Sequence, residues 1–220
     1  MKLNEYTTEV TCAECGHTGT YVMRTLIDTA KDKDAINKIL DARWFTYTCP
    51  KCKERTIVTH TCLFHDTERK VLIALADSEE DYEKISGWMK GTYQKDELEQ
   101  ALLNMMRGSD CRLVRNLHEF QEKVLLHVLG MDDRVIEMCK VMTEMILVQN
   151  QMISHVEHIY FNTDGDEYIF MIDTGEEDMA STKLPKGMVK DVTKMIADMK
   201  PTASFVIDRT WAMKQLHVMA

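Results

Sequence analysis

Residues 5–29 alternate β-branched or aromatic positions with polar ones around a first cysteine pair, as in Glu9-Val10-Thr11-Cys12 and Thr20-Tyr21-Val22-Met23-Arg24-Thr25-Leu26-Ile27. A period of two predicts strands, here two strands joined by a tight knuckle. Asp34 has the chemistry of an N-cap for a short helix carrying Ile36, Ile39 and Leu40, after which Trp44-Phe45-Thr46-Tyr47-Thr48 returns to strand character. Residues 55–60 and 70–76 continue that character, so the first third is expected to be mainly antiparallel sheet.

The period changes after Asp77. Ser78 followed by Asp81 resembles a capping box and starts a helix toward Met89. Leu98, Leu102 and Met105 share one helical face, which Gly108-Ser109 interrupts, and Leu113, Leu117, Phe120, Val124 and Val128 recur at helical intervals up to Gly130. Asp132 and Asp133 are placed to cap a further helix with a stripe of Val135, Met138, Met142, Met145, Met152 and Ile153, and so short a link predicts an antiparallel helical hairpin. From His158 strands return. Ile159-Tyr160-Phe161 and residues 168–172 flank Asp164-Gly165, a hairpin-turn dipeptide. A helix over 188–199 stopped by Pro201, a short strand at Phe205-Val206-Ile207, and a terminal helix with Trp211, Met213 and Leu216 complete the reading. The fold class is α+β: a zinc-ribbon-like antiparallel sheet over 1–77, a helical region over 78–154 built on the hairpin, and an α/β region over 155–220.

With 220 residues the chain can bury a large core without help from a metal, and its 45% hydrophobic and 29% charged residues are ordinary for a globular protein. The formal net charge of −9 argues against coating nucleic acid, which needs clustered cations to release counterions. Lys51, Lys53 and Arg55 keep a local nucleic-acid contact open as an alternative, although Asp41 and Glu54 are interleaved with them. No segment approaches the roughly 20 apolar residues of a membrane span, and the first residues carry no signal-like apolar run, so a cytoplasmic protein without membrane contact is expected.

Seven cysteines in such a compartment read as metal ligands before disulfides. Cys12-Ala13-Glu14-Cys15-Gly16 and Cys49-Pro50-Lys51-Cys52-Lys53 are CxxC units, each able to bring two thiolates within about 2.3 Å of one ion. Cys12, Cys15, Cys49 and Cys52 thus form a complete tetrahedral set for one structural Zn2+. No position is left for substrate or reactive water, and iron suits the same four ligands.

The two cysteine pairs, the Cys-Pro-Lys-Cys form of the second, and Leu63-Phe64-His65-Asp66 together resemble the bacterial CpXC domain family, as does Asp132-Asp133-Arg134-Val135-Ile136-Glu137 farther along. Ala13 stands where that family carries proline; proline stiffens the knuckle but supplies no ligand, so metal binding is little affected. The resemblance implies a metal-bearing bacterial protein and supplies no reaction.

His60, His65 and Asp66 are the candidates for a second chemical site, the basis of an alternative reading as an enzyme. In the plainer reading His65-Asp66 closes a hairpin, with Asp66 bonding turn amides. His118, His127, His155, Glu157 and His158 read as surface groups, and Cys111 and Cys139 as small core residues. The 17 methionines fall at core spacing but could line an adaptable groove. P-loop, dinucleotide-binding, GxSxG and HExxH patterns are absent. The leading expectation is a non-enzymatic zinc protein that works through a protein partner or through self-association by the helical hairpin.

Overall fold

In the computed structural model, which describes residues 5–92, 97–176, 179–199 and 204–218 with the side chains of 97–99 excepted, the chain divides into two compact units, Met1–Val124 and Leu125–Ala220. Pro201 and the side chain of Leu98 lie outside the described residues. Among those described, no helix is long and apolar enough to cross a membrane.

In the first unit, the alternating N-terminal segment forms an antiparallel ribbon of β1 (Glu5–Thr11) and β2 (Thr18–Arg24), in register from Glu5 opposite Arg24 to Thr11 opposite Thr18. Next come β3 (Leu26–Asp28), α1 (Ala35–Leu40) and a 3-10 turn (Arg43–Phe45). A second antiparallel ribbon, β4 (Thr46–Thr48) with β5 (Arg55–Ile57), follows. Asp34 precedes α1 but does not cap it with its side chain; its carboxylate instead accepts from the Asn37 side-chain amide at 2.8 Å.

Beyond the ribbons lies a four-stranded sheet in the order β3, β6 (Cys62–Asp66), β7 (Val71–Leu75), β8 (Asp110–Val114). It is mixed: β6 and β7 are antiparallel, whereas β3 with β6 and β7 with β8 run parallel. The expectation of mainly antiparallel pairing therefore holds for the ribbons and fails at both edges of this sheet. Cys62-Leu63-Phe64 and Leu72-Ile73-Ala74-Leu75 are buried without a break, the signature of inner strands covered on both faces. Phe64, Ile73, Leu75 and Val114 join Ala35 and Ile39 of α1 and Phe120 of α4 (Leu117–Val128) in one core. Between β7 and β8 the chain passes through α2 (Glu79–Lys90) and α3 (Glu97–Met106), which pack on β8 and β7 respectively. Ser78 caps α2 as its sequence predicts, accepting from Asp81 N–H at 3.1 Å.

The segment 110–114 departs from its helical reading. Leu113 stands four residues before Leu117 and looks like the start of the α4 stripe, but Cys111 and Leu113 lie in register with Leu72 and Ala74 of β7. Long-range pairing, which no local period encodes, decides the outcome there.

The second unit packs α5 (Asp133–Gln149) against α6 (Lys186–Ala197) and α7 (Arg209–Gln215). Asp132 caps α5 through Arg134 N–H at 2.9 Å. A three-stranded antiparallel sheet has the order β11 (Ala180–Lys183), β10 (Glu167–Asp173), β9 (His158–Asp164), and Gly165 at φ 57° opens the β9–β10 turn. Phe161 and Phe170, cross-strand partners, meet Val135, Met138, Cys139 and Trp211 in the core. Met138 is thus a core residue, while Met145 in the last turns of α5 and Met152 just beyond the helix are exposed, as are Ile146 and Val148. Residues 205–207 form no strand; Ile207 is buried as an irregular segment entering α7, and Ser204 folds its hydroxyl onto Val206 O.

Candidate metal centre

Each CxxC unit sits in the turn of a ribbon, and the two turns share one backbone plan. In the first, Cys12 N–H donates to His17 O at 2.9 Å and Gly16 N–H donates to Cys12 O at 2.9 Å. In the second, Cys49 N–H donates to Glu54 O at 2.8 Å and Lys53 N–H to Cys49 O at 3.0 Å. The residue four places after the leading cysteine is left-handed in both, Gly16 at φ 66° and Lys53 at φ 68°. Glycine adopts that conformation freely; lysine holds it at a cost of about 1 kcal/mol.

The two knuckles bring four sulfurs together. Cys12 Sγ lies 3.6 Å from Cys52 Sγ, Cys15 Sγ lies 3.6 Å from Cys49 Sγ, and all four fall within 4.8 Å of one another. Tetrahedral zinc with sulfurs at about 2.3 Å places them about 3.8 Å apart, so the cluster matches one shared ion. Disulfide sulfurs would stand at about 2.05 Å. Cys12 and Cys49 are buried, Cys15 is half-buried and Cys52 is exposed.

Electrostatics within the cluster favour charge on one sulfur first. The backbone N–H groups of Cys52 and Lys51 point at Cys49 and, against burial, bring its thiol down to about 6. At Cys52 the backbone N–H of Glu54 acts downward, but burial and the neighbouring thiols of Cys15, Cys12 and Cys49 outweigh it and push the thiol up to about 12. Four thiols this close cannot all ionise without a cation among them.

Tyr21 and Tyr47 form an inner wall with Cys12 and Cys49. Tyr21 donates its hydroxyl to Trp44 O. The Tyr47 hydroxyl is buried and, among the described residues, meets no partner at ordinary hydrogen-bond geometry; burial, then the charge of Cys49 and Cys12, raises its pKa. It rests against Gly19 of β2, where a Cβ would stand 2.3 Å from the phenol oxygen. A glycine inside an otherwise alternating strand was the one sequence signal for this close approach.

His60, His65 and Asp66 are not brought into one cleft. His60, buried, accepts from Arg24 N–H through Nε2 at 3.2 Å, has Nδ1 3.3 Å from Val58 O, and packs on Phe45. Burial depresses its pKa, keeping the ring neutral. His65 Nδ1 faces Asp28 at 4.0 Å. Asp66 closes the β6–β7 turn, accepting from Arg69 N–H at 3.1 Å and pairing with the Arg69 guanidinium at 3.0 Å. His155, Glu157 and His158 are exposed. Cys139 is buried and Cys111 half-buried; burial pushes the first up to about 12 and the second up to about 11.

A family model described as CpXC protein matches residues 10–140, well over half the chain and inclusive of both knuckles. The chain belongs to the CpXC family. The CpXC match spans the four-stranded sheet and ends inside α5. No curated protein and no solved structure matches the chain. Within this CpXC protein, the residues that sequence reasoning missed around the cluster are Tyr47 and Gly19, together with Lys53 as the counterpart of Gly16.

Proposed function

We propose that the chain holds one structural zinc ion on Cys12, Cys15, Cys49 and Cys52, and that it is a cytoplasmic protein acting through protein contacts and not through catalysis. The observation that carries the reading is the convergence of four thiols from two matching knuckles to within 4.8 Å. Four thiolates fill a tetrahedral shell, so the ion would fix the two ribbons and offer no position to a substrate. The exposed apolar group of Met145, Ile146, Val148 and Met152 supports a partner surface, for another protein or for a second copy of the chain.

Elemental analysis of protein purified without added metal tests the metal, together with a Cys49→Ser variant. About one zinc per chain, lost in the variant with loss of ribbon structure, is expected. Metal-free wild-type protein that keeps its fold would overturn the structural role. Size measurement and pull-down from native extract test the rest; a strict monomer retaining no partner would refute action through contacts.

A further inference from the structure

Among the described residues β2 and β4 each pair on one edge only, with β1 and β5 respectively. The phase of each ladder is set at the knuckles. Cys12 bonds His17 and Cys49 bonds Glu54, so alternation turns Gly19, Tyr21 and Met23 toward β1, and Tyr47 toward β5. The backbone groups of Thr20, Val22 and Arg24, and those of Thr46 and Thr48, therefore point the other way. These same five residues line a cleft of about 450 Å3 beside the metal centre. Its inner wall is the pair of tyrosines crossing in opposite directions, Tyr21 from β2 to Trp44 O and Tyr47 from β4 to Gly19. Standing perpendicular to their own ladders, they act as spacers that hold the two ribbons face to face. At one end the outward amide of Arg24 is taken by His60, and among the described residues nothing pairs with the outward groups of Thr20, Val22, Thr46 or Thr48.

We propose that this cleft receives an extended peptide segment of a partner protein, whose main chain bonds to the outward groups of β2 on one side and of β4 on the other. The inference rests on the reading of the chain as a protein-interaction module and names its surface. β2 runs away from the metal centre and β4 runs toward it, so the segment is antiparallel to one strand and parallel to the other. Open strand edges give affinity through main-chain bonds and specificity through alternate side chains. The lining includes Arg24, Arg43 and Trp44 and no acidic residue, in a chain of net charge −9. An acidic side chain or terminal carboxylate on the peptide fits that end. Arg24 and Arg43 now pair with the exposed carboxylates of Glu5, Asp34 and Asp41, contacts weak enough to exchange.

The probe is a displayed random library of peptides of roughly eight residues, selected on the full zinc-loaded chain, with a single-stranded oligonucleotide of similar length beside it. The expected winners alternate β-branched or aromatic residues, carry an acidic residue and lack internal proline. Val22→Pro removes an outward N–H without touching the β1 ladder, so it should weaken binding by at least about tenfold. Val22→Thr should not. Amide exchange on the wild-type chain is independent of any variant's folding: the winning peptide should slow Thr20, Val22, Thr46 and Thr48 and leave Tyr21 and Tyr47, already in ladders, unchanged. A library without winners, peptides that ignore Val22→Pro and protect other amides, or binding by the oligonucleotide alone would overturn the cleft. A zinc-loaded chain that still retains a protein partner after such a result would leave the broader reading standing, and a chain retaining none would remove both.

Discussion

Gly19→Ala tests whether the ribbons are held at a distance set by Tyr47. An alanine Cβ at this position would stand 2.3 Å from the Tyr47 hydroxyl oxygen, 3.2 Å from Cζ and 3.3 Å from Cε2. Neither side can easily retreat: Gly19 is fixed opposite Val10 in the β1–β2 ladder, and Tyr47 is 4% exposed and two residues from Cys49. In an unhindered strand, alanine would stabilise by about 0.5–1 kcal/mol over glycine. Overpacking a buried contact costs about 1–3 kcal/mol, so the net expectation is a loss of up to about 2.5 kcal/mol. In a Tyr47→Phe background the 2.3 Å contact is gone and the two ring contacts need to yield only a few tenths of an ångström. The alanine penalty should then fall below about 1 kcal/mol, leaving a coupling of about 1 kcal/mol in the double-mutant cycle. Denaturant unfolding at fixed free zinc measures all four proteins. Strictly additive effects, or an alanine that stabilises the otherwise unaltered chain, would refute the spacer role.

Other substitutions separate local strain from chemistry. Gly16→Ala meets open space but must take φ 66°, so it should cost about 1 kcal/mol, while Lys53→Gly at the matching position should gain up to about 1 kcal/mol; unfolding curves check both. Asp66→Ala removes a fully buried carboxylate together with its contacts to Arg69 and should cost about 2–3 kcal/mol with zinc stoichiometry unchanged, and zinc loss alongside would contradict a turn-closing role. His60 has a depressed pKa in the folded chain, so below about pH 6.5 the unfolded chain binds the extra proton and stability should fall by up to about 1.4 kcal/mol per unit. His60→Gln should flatten that slope relative to wild type, measured from pH 8 downward, and identical slopes would refute the assignment.

What the sequence made legible follows from range. CxxC spacing, the Ser78 and Asp132 caps and the Gly165 turn are fixed by atoms a few residues apart, and each appears where its residues predict. The cysteine set was readable because spacing and ligand chemistry coincide, yet its encounter across residues 16–48 had to be inferred from valence alone. Parallel pairing of β3 with β6 and of β7 with β8 leaves no local trace, and β8 also shares a spacing with the helix after it. β11, written Ala180-Ser181-Thr182-Lys183, carries no apolar alternation at all and exists through its register with β10. His60 shows the reverse case. Its residue type suggested chemistry, while burial assigns it to hold the end of a strand edge.

The late arrival of β8 also orders events during synthesis. Both knuckles are complete by residue 54 and each needs only neighbours in the chain, so the ribbons can form early. The sheet cannot, because the edge of β7 stays bare until residues 110–114 have been made and the long excursion through α2 and α3 has folded back. A nascent chain paused inside that excursion presents a buried-type strand, Val71-Leu72-Ile73-Ala74-Leu75, with one open edge. An open apolar edge of that kind is a template for mispairing, so this excursion is an aggregation-prone stage of synthesis.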